Sequence, residues 1–282
     1  MPTNGDPSIA EASLVASPYD FRVALGEHVG EASTGEALQS GEFGFIHSYT
    51  TGSAVDGPGI RVVVWLTGCQ FRCVFCHNPD TWKLNNGIPV PLARAVEEVR
   101  KYRHGLQTMH GGLTVSGGEP LLQDRFLVQL FTAMKEAKIH TAVDTNGHLG
   151  ERLSDADLQM CDLVMLGLKA LDADLHRRIT GLENGPVLAF ARRLAALRKP
   201  MWLRYVLVPG LTDRLDDLAR IAEFAAELGN VAQVEVLPFH QLGRFKWERL
   251  GMPYELAEGA SPSPAQIEDA MAVFRSTGLK VG

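Results

Sequence analysis

The chain is poor in cysteine, with four in 282 residues. A small secreted scaffold stapled by disulfides needs more of them in less length, so no such framework is read here. No run of 18 apolar residues occurs, so no membrane-spanning helix is expected. The first residues lack a basic stretch followed by an apolar one, so no secretory signal is read. Positive charge is not in excess: 27 Lys and Arg face 33 Asp and Glu, a formal net charge of −6. That balance gives no electrostatic reason to expect nucleic acid or an anionic membrane as partner. These absences together lead to an expected cytoplasmic location, where thiols stay reduced and clustered cysteines suggest a metal or redox site.

What is present is a large apolar fraction, 45%, enough for a sizeable core. Residues 1–41 differ from the rest. They are rich in Gly, Ser, Ala and Glu, as in "GEHVGEASTGEALQSGE", with little periodicity, and are expected to form a flexible acidic extension with at most a short helix. From 42 to 282, apolar β-rich runs alternate with helical patterns. The runs are "RVVVWLT", "GLTVS", "HTAVDT", "DLVMLGLK", "WLRYVLV" and "VAQVEVL". Helical stretches are read near 91–103, 122–137, 172–198, 214–228 and 264–276. Strand then helix, about six times over, predicts an α/β fold with parallel strands and right-handed crossovers, a partial (βα)6 barrel. The runs are nearly continuous in apolar character, as strands buried on both faces should be.

The unusual polar residues cluster at the ends of these runs. A cysteine loop, "GCQFRCVFCHNPDTW", follows the first. "SGGEP" ends the second, "DTNGH" the third, Lys169 the fourth, and "PFHQLG" follows the sixth, while Arg204 lies inside the fifth. In a parallel α/β barrel the C-terminal strand ends gather at one mouth, where such folds place their chemistry.

The loop spaces Cys69, Cys73 and Cys76 as C-x3-C-x2-C, with His77 after the last. Zinc bound by three cysteines and His77 is one reading, but adjacent Cys76 and His77 are hard to aim at one small ion. C-x-x-C-H is also the c-type haem signature, which normally belongs to an exported chain. Unligated structural thiols are a third reading. An iron–sulfur cubane fits better. It has four irons, the loop supplies three thiols, and the fourth cysteine, Cys161, reads as a small buried hydrophobe before a strand. One iron is then left open for a substrate or cofactor, as in catalytic metal centres.

This loop after the first strand of a (βα)6 pattern resembles the radical S-adenosylmethionine superfamily. With "VDGPGIR", "YRH", "SGGEP", "DTNG", "DLVMLGLK", "RYVLVPG" and "LPFHQLGRFKW", the chain from about residue 43 to 282 is similar to the glycyl-radical-enzyme activases, in particular those that act on pyruvate formate-lyase. The resemblance implies a [4Fe-4S] cluster held by Cys69, Cys73 and Cys76, with S-adenosylmethionine bound at the open iron. It implies reductive cleavage of that cofactor to methionine and a 5′-deoxyadenosyl radical, which takes hydrogen from a glycine of the target. It also implies a flavodoxin or ferredoxin-type electron donor, and a monomer.

Residue by residue, the resemblance places Phe75 near the adenine, with a core contact as the alternative. It places His77 beside the cofactor rather than on the metal. Ser116, Gly117, Gly118 and Glu119 match the segment that meets the methionyl amine. Asp144 and Thr145 line the same mouth, with Gly167 and Leu168 beside them. Lys169 and His240 match residues near the carboxylate, ribose or adenine. Arg204 is expected to face the interior and pair with a carboxylate, either the cofactor's or one of the chain's own. Asp56 in "VDGPG" is a candidate contact to the target, with turn formation as its alternative. One departure stands out: the family usually reads "LDLK" where this chain reads "LGLK". Gly167 removes a carboxylate that would help Asp144 hold a monovalent cation, so that site is expected to be weakened. An activase for a different glycyl radical enzyme is a neighbouring reading. Many of those carry an insert with extra cysteines, and only Cys161 is left over here. An electron-transfer or haem-binding module is a reading from another class.

Overall fold

The computed structural model describes residues 31–282, in which eight strands form one sheet. In chain order they are β1 (Phe43–Ser53), β2 (Arg61–Leu66), β3 (Ile88–Pro91), β4 (Gly112–Gly117), β5 (His140–Thr145), β6 (Leu163–Gly167), β7 (Met201–Leu207) and β8 (Val231–Pro238). The sheet order is β3-β1-β2-β4-β5-β6-β7-β8. From β2 to β8 all neighbours are parallel, and these six strands are the six apolar runs of the sequence. The expectation lacked β1 and β3. They pair antiparallel and extend the sheet beyond β2. β1 reads "FGFIHSYTTGS", half-buried and polar, so it carries no continuous apolar signal. β3 contains two prolines, which only an edge strand tolerates.

The crossovers follow the sequence pattern with two differences. The stretch expected near 91–103 is α2 (Leu92–Arg100) followed by α3 (Arg103–Thr108). The stretch near 172–198 divides into α6 (Ala173–Thr180) and α7 (Gly185–Ala196). Gly181 ends α6 in the left-handed region at φ 83°, and a proline in the first turn of α7 restarts the helix. The remaining helices are α1 (Glu31–Ser40), α4 (Asp124–Glu136), α5 (Asp155–Gln159), α8 (Leu215–Leu228), α9 (Arg244–Arg249) and α10 (Pro264–Ser276). The described part of the expected extension, 31–40, is thus helical. Its end is tied to α4 by Gln129, whose Nε2 donates to the Ser40 carbonyl at 2.7 Å. Residues 1–30 of that extension lie outside the described residues.

α4 shows how the layers meet. Phe126, Leu127, Leu130, Phe131 and Met134 form one stripe and are buried against the sheet. The Phe126 ring fills the space over Gly44, where an added Cβ would stand 2.4 Å from it. Along β2, Val62, Val63, Val64 and Leu66 are all buried, so the strand is covered on both faces. Each such side chain contributes about 1.5–3 kcal/mol of transfer free energy. A small separate cluster of Ala142, Leu163, Met165 and Trp202 lies on the sheet face opposite the main core.

Among the described residues no helix is long and apolar enough to cross a membrane.

Candidate cofactor site at the strand ends

The cysteine loop leaves β2 at Leu66 and is held by main-chain bonds on two sides. Gly68 N donates to Thr81 O at 2.8 Å and Cys69 N to Trp82 O at 3.1 Å, closing the loop on itself. Arg72 N donates to Thr180 O at 2.8 Å and Val74 N to Ile179 O at 3.0 Å, so the end of α6 carries the middle of the loop. Trp247 of α9 donates its indole N–H to Cys76 O at 2.9 Å. Phe71 is buried, with His148 and His176 edge-on at centroid distances of 5.4 and 5.5 Å.

The three loop thiols are free and partly buried. They are close enough to influence one another: burial first, then the Glu119 carboxylate and the Cys73 thiol, push Cys69 up, and burial followed by the Cys73 thiol pushes Cys76 up to about 12. Burial also raises Cys73, against the pull of Lys169. Among the described residues no three Cys, His, Asp or Glu side chains are gathered tightly enough to grip a single ion. A cubane makes a different demand, since each thiolate binds its own iron across a wider space. Three soft donors on one buried loop fit such a group. Cys161 is elsewhere: it is buried before β6, at the opposite end of the strands, and its thiol donates to Leu163 O at 3.0 Å.

The segment after β4 lies directly under the loop. Gly118 N donates to Leu66 O at 2.9 Å and Glu119 N to Gly68 O at 2.7 Å. The two glycines are required by this approach. A Cβ on Gly117, at φ 122°, would stand 2.1 Å from Leu66 O, and one on Gly118 would stand 2.3 Å from Gly68 O. Glu119 is fully buried, and its carboxylate accepts three bonds. They come from Leu121 N at 2.9 Å, Thr145 Oγ1 at 2.6 Å and Asn146 N at 2.8 Å. Burial pushes its pKa up to about 7 in spite of those donors. Glu119 therefore clamps the loop after β5 to the loop after β4.

Asp144, Ser116 and Arg204 form a charged cross-link inside the sheet. Ser116 Oγ donates to Asp144 Oδ2 at 2.9 Å, and Arg204 Nη1 donates to the same oxygen at 2.7 Å. Arg204 Nε also lies 2.9 Å from Glu235, an ion pair rather than a well-aligned hydrogen bond. Burial would lower the guanidinium's pKa, but the Asp144 and Glu235 carboxylates outweigh it and hold Arg204 charged. Of the two partners foreseen for Arg204, the structure supplies the chain's own. Its remaining nitrogen, Nη2, donates to Val55 O at 3.3 Å.

Lys169 follows β6 with no ion pair among the described residues. Its Nζ sits 5.9 Å from the Phe75 ring centre. Phe75 packs on Ala170, Ile179, Val208, Leu211 and Phe239, the core contact that was its alternative role. Gly167 is buried, and a Cβ there would meet Lys169 Nζ at 3.0 Å. Leu168 turns its side chain into the main core, not the mouth. His77 and His240 are both exposed and meet edge-to-face at 4.7 Å. Asp56 is nearly buried, accepts from Ser53 Oγ at 2.5 Å, and receives Thr114 Oγ1 on its carbonyl at 2.6 Å. These bonds are those of a turn, and the exposed residue of that segment is Val55, 72% accessible. Sequence reasoning passed over Glu235, Asn146 and Trp247. Only the pairing of β7 with β8, which sets Glu235 beside Arg204, reveals the first.

A family model described as the radical SAM superfamily matches residues 63–225. The chain belongs to the radical SAM superfamily. Within it, the chain is 42% identical to a pyruvate formate-lyase-activating enzyme from Staphylococcus epidermidis over 242 residues, covering 83% of this chain and 96% of that protein. Its identity to an enzyme of the same name from Staphylococcus aureus is also 42%, over 244 residues, covering 84% and 96%. It therefore belongs to that activating-enzyme family as well. Among solved structures, a domain of a pyruvate-formate lyase-activating enzyme from Bacteroides vulgatus matches with TM-score 0.50 and 25% identity, over 61% of this chain and 98% of that one. Streptococcus suis SuiB bound to S-adenosylmethionine shares the fold at TM-score 0.55 and 17% identity, over 76% and 47%. Membership of the radical SAM superfamily implies a [4Fe-4S] cluster and S-adenosylmethionine.

Proposed function

We propose that this protein activates pyruvate formate-lyase by removing hydrogen from a glycine of that enzyme. The reading rests on one observation above the others. The three-thiol loop at the end of β2 lies against the Gly117–Glu119 segment, in a chain that covers nearly the full length of relatives bearing the activating-enzyme name. When bound, the cluster supplies the electron that splits S-adenosylmethionine into methionine and the hydrogen-abstracting radical.

The chain's residues hold and orient. Cys69, Cys73 and Cys76 hold the cluster. Gly117 and Gly118 bring main chain to the mouth, and Glu119 fixes its shape. Lys169, with no ion-paired carboxylate among the described residues, presents a positive charge to the cofactor's carboxylate. His77 and His240 form the wall toward the adenine and ribose. Arg204 acts on the cofactor through Asp144, which it orients, rather than by direct contact. A monovalent cation beside Asp144 is held weakly, because the Lys169 ammonium occupies the space beside Gly167. A flavodoxin or ferredoxin-type protein donates the electron. The chain works as a cytoplasmic monomer, in which residues 42–282 form the catalytic domain and 1–41 are an accessory extension.

The test is to mix the anaerobic holoenzyme with pyruvate formate-lyase, S-adenosylmethionine and a reductant, and to record the electron paramagnetic resonance spectrum. A glycyl radical on pyruvate formate-lyase is expected. A radical on a different glycyl radical enzyme, with none on pyruvate formate-lyase, would move the reading to that target.

A further inference from the structure

Asn146 has no assigned part, yet its side chain reaches the thiol of Cys69. Its Nδ2 lies 3.9 Å from Cys69 Sγ, within range of an N–H···S hydrogen bond. The orientation of the amide is fixed by what its oxygen accepts. Gln70 Nε2 donates to Oδ1 at 3.0 Å, and His148 N donates to it at 3.0 Å. Two donors on one side leave the oxygen no choice of side, so the NH2 group faces the sulfur. The main chain of Asn146 is held independently, through its N–H on Glu119. Asn146 is itself nearly buried, 9% accessible, so water competes little for this bond.

We infer that Asn146 is a positioning residue that raises the reduction potential of the cluster through Cys69. The inference rests on the cluster reading given above. An N–H dipole aimed at a ligand sulfur stabilises the more negative, reduced state over the oxidised one, because the added electron increases charge on the sulfurs. Reduction adds one electron from an external reductant and moves no proton in this scheme. The bond makes that uptake easier for a weak physiological donor. Gln70 serves the same end at one remove, by holding Oδ1 away from the sulfur.

The experiment is a mediated redox titration of the reconstituted holoenzyme, followed by electron paramagnetic resonance, with iron and sulfide assayed in each sample. Asn146→Ala removes the donor and should shift the potential to a more negative value with full iron and sulfide retained. Asn146→Asp keeps an oxygen for Gln70 and His148 but sets a second oxygen at the sulfur, and should shift it further the same way. Gln70→Leu leaves Asn146 in place and should produce a smaller negative shift, which keeps the test decisive if Asn146→Ala fails to fold. In deuterated buffer, the reduced cluster of Asn146→Ala should also show one exchangeable-proton coupling fewer than wild type, a signature that a structural role would not move. Full loading with the wild-type potential in all three variants overturns the proposal alone. A wild-type chain that takes up no iron and sulfide overturns it together with the reading on which it rests.

Discussion

The two ends of the same parallel strands both bury polar groups, and both contain cysteine. At the N-terminal end, Arg61 is completely buried. Its donors go to Thr114 Oγ1 at 2.9 Å, Pro58 O at 3.2 Å and Leu113 O at 2.5 Å, with His140 Nδ1 3.3 Å away. Asp162 is taken by Lys135 and by the main chain and hydroxyl of Thr141. The Cys161 thiol is bonded to a carbonyl. At the C-terminal end three thiols, Lys169, His77 and His240 keep bonding capacity that the chain does not use. Burial and polarity alone do not separate a site from a brace. What separates them is how much bonding capacity is left over once the chain has satisfied itself.

The cysteines should separate the two ends most strongly. Cys73→Ala is expected to abolish iron and sulfide uptake and cofactor cleavage, while Cys161→Ala retains both. Loss of the cluster in Cys161→Ala alone would reverse the assignment of the two ends. The two buried arginines come next. Arg61→Met leaves Thr114 and two carbonyls without a donor, and Arg204→Met leaves Asp144 beside Glu235 without a counter-charge. Each is expected to cost about 3–5 kcal/mol in urea unfolding. The difference should appear in the surviving folded protein. Cofactor cleavage falls in Arg204→Met beyond its loss of stability, and follows stability alone in Arg61→Met.

Most of the parallel sheet was legible in the sequence, because strands such as "RVVVWL" are buried on both faces and their apolar runs are continuous. β1 and β3 were not, because one is half-exposed and the other short and proline-bearing. The thiols, the glycine segment, Lys169 and His240 were read as site candidates from motif and position. Their partners were not. Glu235 carries no local mark, and although Asn146 and Trp247 fall inside quoted motifs, the loop residues they touch, Cys69 and Cys76, lie far along the chain. Leu168 shows the opposite limit: a motif neighbour of Lys169 was read as part of the mouth, but strand alternation turns it into the core.

A pH test sharpens the boundary between scaffold and site. His176 is buried beside Phe71, its two ring nitrogens have no partner among the described residues, and burial followed by the nearby Lys169 charge lowers its pKa to about 4. The folded chain therefore binds fewer protons there than the unfolded chain does between about 4 and 6.5. The stabilisation is complete above pH 6.5 and is lost as pH falls toward 4, by roughly 2–3 kcal/mol. His176→Leu should flatten that part of the stability curve measured by urea unfolding. An unchanged acid slope would assign it to other groups.

A smaller effect is expected at Gly167. Its Asp variant places a carboxylate beside Lys169, where the two pair, so cleavage should gain only a weak response to added K⁺ at constant ionic strength. A steep response in the wild type would mean that another group already holds a cation beside Asp144.

On the proposed function, the open end of the strands delivers a hydrogen-abstracting radical to a glycine of pyruvate formate-lyase. The direct measurement uses pyruvate formate-lyase labelled with deuterium at its glycine Cα. It is mixed with holoenzyme, S-adenosylmethionine and reductant, and the 5′-deoxyadenosine is examined by mass spectrometry. One deuterium in the product, formed in step with the glycyl radical, is the predicted result. 5′-Deoxyadenosine carrying only protium, with no radical on the target, would contradict it.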